Sequence, residues 1–153
     1  MSDTITLIFY KGTRAANPHA RLFDRLATWR TRGPYSHCEL VLDRIDHMAL
    51  CWSSSFRDGG VRSKWIDVST GRWDAVTFAG DRTAAARWFE AHQGEPYDWF
   101  ALMGWVLPWR VSNRRWWFCS EACGAAIGLP SEVTRRLSPS DLYQHAQLEI
   151  ANA

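Results

Sequence analysis

Cys119 and His37 are the side chains of this sequence best suited to covalent chemistry. Cys119 lies within Trp116-Trp117-Phe118-Cys119-Ser120-Glu121-Ala122-Cys123, at the start of a helix that the pattern predicts over 118–127. There the unpaired N–H groups and the positive dipole end of the helix stabilise a thiolate. The same N–H groups can hold an oxyanion on a substrate carbonyl. His37 lies within Tyr35-Ser36-His37-Cys38-Glu39-Leu40-Val41-Leu42. A strand here points His37 and Glu39 to one side, and Cys38, Leu40 and Leu42 to the other. An imidazole with an ordinary pKa of about 6.5 is the natural base for a thiol. Each residue also has a plainer reading: a free thiol is commonly a buried structural residue, and a lone strand histidine a satisfied polar one. Cys123, one turn further into the same helix, takes the structural reading.

Several elements must position these groups. A β-rich run over 5–10 predicts a first strand, and Asn17-Pro18 opens a helix running to about Arg30, broken by Gly33-Pro34. Two strands over 36–42 and 48–54, joined by the polar turn Asp43-Arg44-Ile45-Asp46, read as an antiparallel hairpin. After the turn Asp58-Gly59-Gly60 come short strands over 61–66 and 73–78. From Asp81 the pattern becomes helical: 83–92 ended by Gly94, 97–107 ended by Pro108, and 118–127 stopped by Gly128-Leu129-Pro130. Ser138-Pro139-Ser140-Asp141 opens a last helix, with serine as N-cap and proline at the first helical position. Strands early and helices late predict an α+β fold in a single domain, 1–153.

Ser36-His37 with its strand, the return Cys51-Trp52-Ser53-Ser54-Ser55 and Gly60-Val61 resemble the histidine half of the NlpC/P60 papain-like hydrolases. Gly94-Glu95-Pro96-Tyr97-Asp98 and Phe118-Cys119-Ser120-Glu121 resemble their cysteine half. In ordinary NlpC/P60 proteins the cysteine half comes first; here it comes second. The chain therefore resembles the circularly permuted branch, the YiiX-like and lecithin:retinol-acyltransferase-like group, across residues 35–123. That resemblance implies a permuted papain-like fold with an antiparallel sheet packed against helices. It also implies a cysteine peptidase or amidase-like hydrolase, or an acyl-transfer enzyme, acting on an amide or ester carbonyl of a cell-wall peptide or a lipid. Cys119 becomes the nucleophile and His37 the base, with Tyr97 beside the nucleophile and Ser120 at the helix start as candidates for substrate or oxyanion binding. The family's third residue, a polar group that orients the histidine, falls at Cys51, a departure because a thiol accepts hydrogen bonds poorly. Glu39, on the same strand face as His37, is the preferred replacement, and Ser53, two residues from Cys51, is an alternative.

Composition narrows the classes. Of 153 residues, 46% are hydrophobic and 22% charged, with 18 Lys+Arg against 16 Asp+Glu; these are globular values with no basic stripe for nucleic acid. The basic residues are 16 Arg and 2 Lys. The ten tryptophans fill a core or line a groove; Trp52, Trp116, Trp117 and Phe56 flank the site. Four cysteines, with neither a basic n-region nor an apolar h-region at the N-terminus, predict free thiols in a reducing compartment, cytoplasmic or phage-associated. The apolar run over 99–109 is shorter than the roughly 20 residues of a spanning helix; it reads as a core helix, with membrane-surface contact as the competitor. Zinc held by Cys119, Cys123, His37 and Cys38 is disfavoured by the lack of a Cys-x2-Cys or His-x3-His pair; no metal or cofactor is expected. The rival to an enzyme is a catalytically silent papain-fold binding module or virion structural component.

Overall fold

Ile5, Leu7 and Phe9 alternate with Thr4, Thr6 and Ile8, and that period of two is what a strand needs to bury one face. In a computed structural model that describes residues 3–12, 33–98 and 115–151, this segment forms β1 (Thr4–Lys11). It is followed by β2 (Tyr35–Ile45), β3 (Met48–Ser55), β4 (Gly60–Asp67) and β5 (Trp73–Ala79). The five strands make one sheet in the order β4-β3-β2-β1-β5, every neighbour antiparallel. The described helices are α1 (Arg82–His92), α2 (Cys119–Ala126), α3 (Ser131–Thr134) and α4 (Pro139–Ala151). The chain is thus an α+β fold, a five-stranded antiparallel sheet packed against four helices.

The two sheet faces carry different chemistry. Leu7, Phe9, Cys38, Leu40, Trp52 and Val76 join Phe89 of α1, Ala122 and Cys123 of α2, and Leu142 of α4 in the main core. Ile8, Ala49 and Cys51 form a smaller cluster with Val41, Ile66 and Trp73. Trp52 is stacked on Phe89, ring centroids 5.6 Å apart, so this tryptophan packs the core.

Some boundaries differ from the sequence expectations, each for a local reason. β2 runs on to Ile45, and the hairpin closes on Asp46 and His47 in place of a turn over 43–46. Asp46 takes φ +53, the left-handed conformation that tight hairpin turns demand and that aspartate tolerates. α1 begins at Arg82 because Asp81 caps it, its carboxylate accepting from the Ala84 N–H at 2.8 Å. Tyr97, expected as a helix start, lies instead in an extended bridge to Trp117. The Asp98 N–H donates to Trp117 O at 3.1 Å and the Trp117 N–H to Pro96 O at 3.0 Å. At α4, the Ser138 hydroxyl accepts from the Asp141 N–H at 3.1 Å, and Asp141 accepts from the Ser138 N–H at 2.9 Å, a reciprocal cap. The short α3 had no forecast. The expected helix over 17–30 lies outside the described residues, as does the run over 99–109; among the described residues no helix is long and apolar enough to cross a membrane.

Gly60 locks the site's surroundings together. Its neighbours carry a small ladder to the segment before α2: Val61 N–H to Glu95 O at 2.9 Å, Gly94 N–H to Val61 O at 2.9 Å, and Tyr97 N–H to Gly59 O at 3.2 Å. A Cβ on Gly60 would stand 2.1 Å from the Glu95 carbonyl oxygen, a clash with backbone that no rotamer relieves. Gly60→Ala is therefore expected to destabilise the fold by about 1–3 kcal/mol, read as a lower urea midpoint. A midpoint equal to wild type would contradict this close approach.

Candidate active site

The site is built where α2 begins beside the early part of β2. Cys119 is the first residue of α2, with Phe118 as an N-cap that provides no side-chain hydrogen bond. The segment ahead of it is held to β3, the Ser54 hydroxyl donating to Trp117 O at 2.7 Å. One turn into α2, the Cys123 thiol lies 3.9 Å from Cys38 O. Cys119 is 1% exposed. Burial pushes its thiol up, but hydrogen bonds from the Cys38 thiol and backbone N–H, together with the charge and hydrogen bond of His37, outweigh it. The net result is a fall from 9.0 to about 5. The N-terminal position on α2 acts in the same direction.

His37 is the complementary half. Its imidazole keeps 24% of its surface exposed. Burial pushes its pKa down, yet the charges and hydrogen bonds of Cys119 and Glu39 carry it from 6.5 up to about 10. One nitrogen is accounted for: Nε2 stands 2.8 Å from Glu39 Oε1. That leaves Nδ1 as the nitrogen available to sulfur. Both shifts run the same way, each favouring the thiolate–imidazolium form of the pair.

Glu39 is 1% exposed, and its second partner comes from two strands away. Arg62 of β4 donates to it through both terminal nitrogens, Nη1 to Oε2 and Nη2 to Oε1, each at 2.7 Å. Arg62 is paired in register with Ser53 of β3, so the Glu39–Arg62 bridge spans the strand between them at a small residue. Burial pushes the Glu39 carboxyl up, but His37 and Arg62 hold it below the ordinary carboxylate value. The far side of Arg62 is anchored as well, Nε donating to Asp58 Oδ2 at 2.8 Å.

The other candidates fall into place around this line. Tyr97 is buried, its ring 5.7 Å from that of Phe118 and 5.9 Å from that of Phe56. Burial, then the negative charges of Cys119 and Asp98, pushes its phenol well above 10, so it keeps its proton. The Ser120 hydroxyl donates to Leu137 O at 2.6 Å, and the Ser53 hydroxyl to Cys38 O at 2.7 Å. Cys51 points its thiol at Ala49 O, 3.6 Å away, within the smaller core cluster. Burial raises it above the ordinary thiol value. Of the three candidates for orienting His37, Glu39 alone makes a hydrogen bond to it among the described residues.

Three contributors escaped the sequence reading: Arg62, Asp58 and Cys38. Alternation along β4 places Arg62 and Lys64 on one face, but only the strand register reveals that Arg62 meets Glu39. Cys38 faces the helices, as alternation predicts, yet its thiol and N–H meet Cys119. Among the described residues no group of three or more His, Cys, Asp or Glu is arranged to hold a metal ion. No family model matches the chain, and no curated protein sequence matches it.

Cys119 should alkylate with iodoacetamide as a thiolate down to about pH 5. Below that its rate should fall tenfold per pH unit as the sulfur takes up a proton. Peptide-resolved alkylation across pH 4–10 measures the profile, and a midpoint near the ordinary 9.0 would contradict the assigned electrostatics.

Proposed function

We propose that the protein is a cysteine hydrolase or acyltransferase of permuted papain-like type, with Cys119 as nucleophile. The arrangement that carries this reading is the thiol at the first position of α2, drawn down by the neighbouring His37 charge, with that imidazole itself held by a buried carboxylate. Three roles that acyl transfer requires have a residue here: an activated sulfur, a proton carrier and an orienting acid. The order of the halves along the chain, His37 and Glu39 first and Cys119 second, supports the permuted form of the resemblance.

In the proposed cycle the Cys119 thiolate attacks an amide or ester carbonyl, forming a C–S bond and a tetrahedral oxyanion. N–H groups at the start of α2 hold that oxyanion, with the Tyr97 phenol as a further donor. His37, already an imidazolium, donates its proton to the leaving nitrogen or oxygen as the intermediate collapses to a thioester. Neutral His37 then takes a proton from water, or from another acceptor, as that group attacks the thioester. The product acid or ester leaves, and the thiolate–imidazolium pair returns. Throughout, Glu39 keeps the ring oriented and stabilises its charge without itself taking the proton. The substrate class is a cell-wall peptide or a lipid-like amide or ester, reached through the part of the His37 imidazole that remains open to solvent.

One observation favours a second reading, a silent binding or virion module: the Cys119 residue is almost wholly buried, at 1% exposure. Intact-mass analysis with panels of muropeptides and acyl lipids separates the two. A catalytic protein should carry an acyl adduct on Cys119 with at least one panel, and the adduct should vanish in Cys119→Ala without loss of folding. His37→Ala should slow turnover by about 10²–10⁴-fold. An unmodified Cys119 across both panels, with turnover absent, would favour the silent module.

A further inference from the structure

A buried carboxylate facing an imidazolium has an escape: it can take the proton and leave two neutral groups, which a dry interior prefers to two charges. Glu39 and His37 are in that position, 2.8 Å apart with Glu39 1% exposed. What stands against the escape is Arg62. Its two terminal nitrogens occupy both Glu39 oxygens at 2.7 Å, so a proton arriving on either oxygen would meet an N–H and leave a guanidinium without its counter-charge. Arg62 in turn cannot swing away, because its Nε is tied to Asp58 Oδ2 at 2.8 Å. Lys64 holds the other Asp58 oxygen at 3.2 Å.

We infer that Arg62 is a positioning residue for this site, clamped between Asp58 and Glu39 so that the Glu39 carboxylate stays ionised and aimed at His37. The inference rests on the Cys119–His37 reading above and adds to it the group that sets the charge state. The signs alternate along one line: Cys119 thiolate, His37 imidazolium, Glu39 carboxylate, Arg62 guanidinium, Asp58 carboxylate. Without Arg62 the three inner groups carry one net negative charge in a buried setting. That charge is relieved by protonating Cys119, which removes the thiolate directly, or Glu39, which weakens the hold on the imidazolium that keeps the thiolate stable.

The groups facing this line from each neighbouring element agree with the assignment. From β2 come His37 and the Cys38 thiol, from α2 Cys119, from β3 Cys51, and from β4 Arg62. Tyr97 adds a neutral phenol on the Cys119 side. Arg62 is the cation that touches Glu39 from another strand. An arginine suits the task because its planar fork matches both carboxylate oxygens, whereas a lysine supplies a point charge.

The experiment is the pH profile of iodoacetamide alkylation at Cys119 in wild type, Arg62→Met and Arg62→Lys. Removing the cation should raise the acid midpoint by roughly one to three pH units. The lysine variant, with the charge but not the fork, should fall between. A purely structural role would lower the melting temperature and leave the midpoint where it is in wild type; that result overturns the inference while leaving the Cys119–His37 reading intact. An ordinary thiol midpoint in wild type itself would instead overturn that underlying reading. Should Arg62→Met fail to fold, the carboxyl-carbon NMR titration of Glu39 in the wild-type protein decides. A carboxyl that stays ionised below the ordinary glutamate range supports the clamp, and one that titrates within that range refutes it.

Discussion

The 2.8 Å contact between His37 Nε2 and Glu39 Oε1 is the constraint on which the site depends. It fixes which imidazole nitrogen is spent and so which one is left for the thiol. It also sets the sign of the charge beside Cys119. A neutral imidazole would leave the buried thiol to its burial, which drives it upward and makes it inert. The imidazolium, held by a carboxylate that cannot easily be neutralised, tips the balance toward thiolate. Small displacements matter here, because in a low-dielectric setting each such interaction is worth several times its value in water.

The fold serves that contact by rigidity. His37 and Glu39 lie two residues apart on β2, so alternation sends both to one side. Arg62 reaches them from β4 across β3, at a point where Ser53 is small and turns its hydroxyl to the Cys38 carbonyl. Strand spacing of about 4.8 Å means that a glutamate and an arginine together can bridge two intervals; two shorter side chains could not. Cys119 arrives from the other layer, at the tip of a helix whose approach is set by backbone ties: Ser54 to Trp117, Trp117 to Pro96, and Tyr97 to Gly59. His37, Glu39, Arg62 and Cys119 thus stand on strands or a helix end tied into the sheet, which holds the site's geometry rigid.

Much of this was legible in the residues. A β-rich run over 5–10 and a second over 36–42 marked β1 and β2, Asp81 and Ser138 marked helix starts, and alternation put His37 and Glu39 on one strand face, where the resemblance called for an orienting group. Less visible were features that depend on partners far away in the chain. Tyr97 follows Pro96 in a run that reads as helical, yet its N–H is taken by Gly59 and it bridges to Trp117, a tertiary tie that overrides local propensity. Arg62 looks like one more exposed arginine among sixteen until register places it opposite Ser53. Likewise Cys38 reads as a core filler, and only the docking of α2 turns its thiol and N–H toward Cys119. Local pattern specifies elements; the meeting of charges from three elements is set by register and packing.

The most direct test of the account is the protonation state of the His37 ring, read by 15N NMR of histidine-labelled protein with Cys119 reduced. The account predicts that both ring nitrogens carry protons at pH 8, far above the ordinary histidine range, and that the ring gives one up only toward about pH 10. A neutral ring at pH 8, titrating near 6.5, would mean that the carboxylate and thiolate do not hold the imidazolium, and the chemistry assigned to Cys119 would be contradicted.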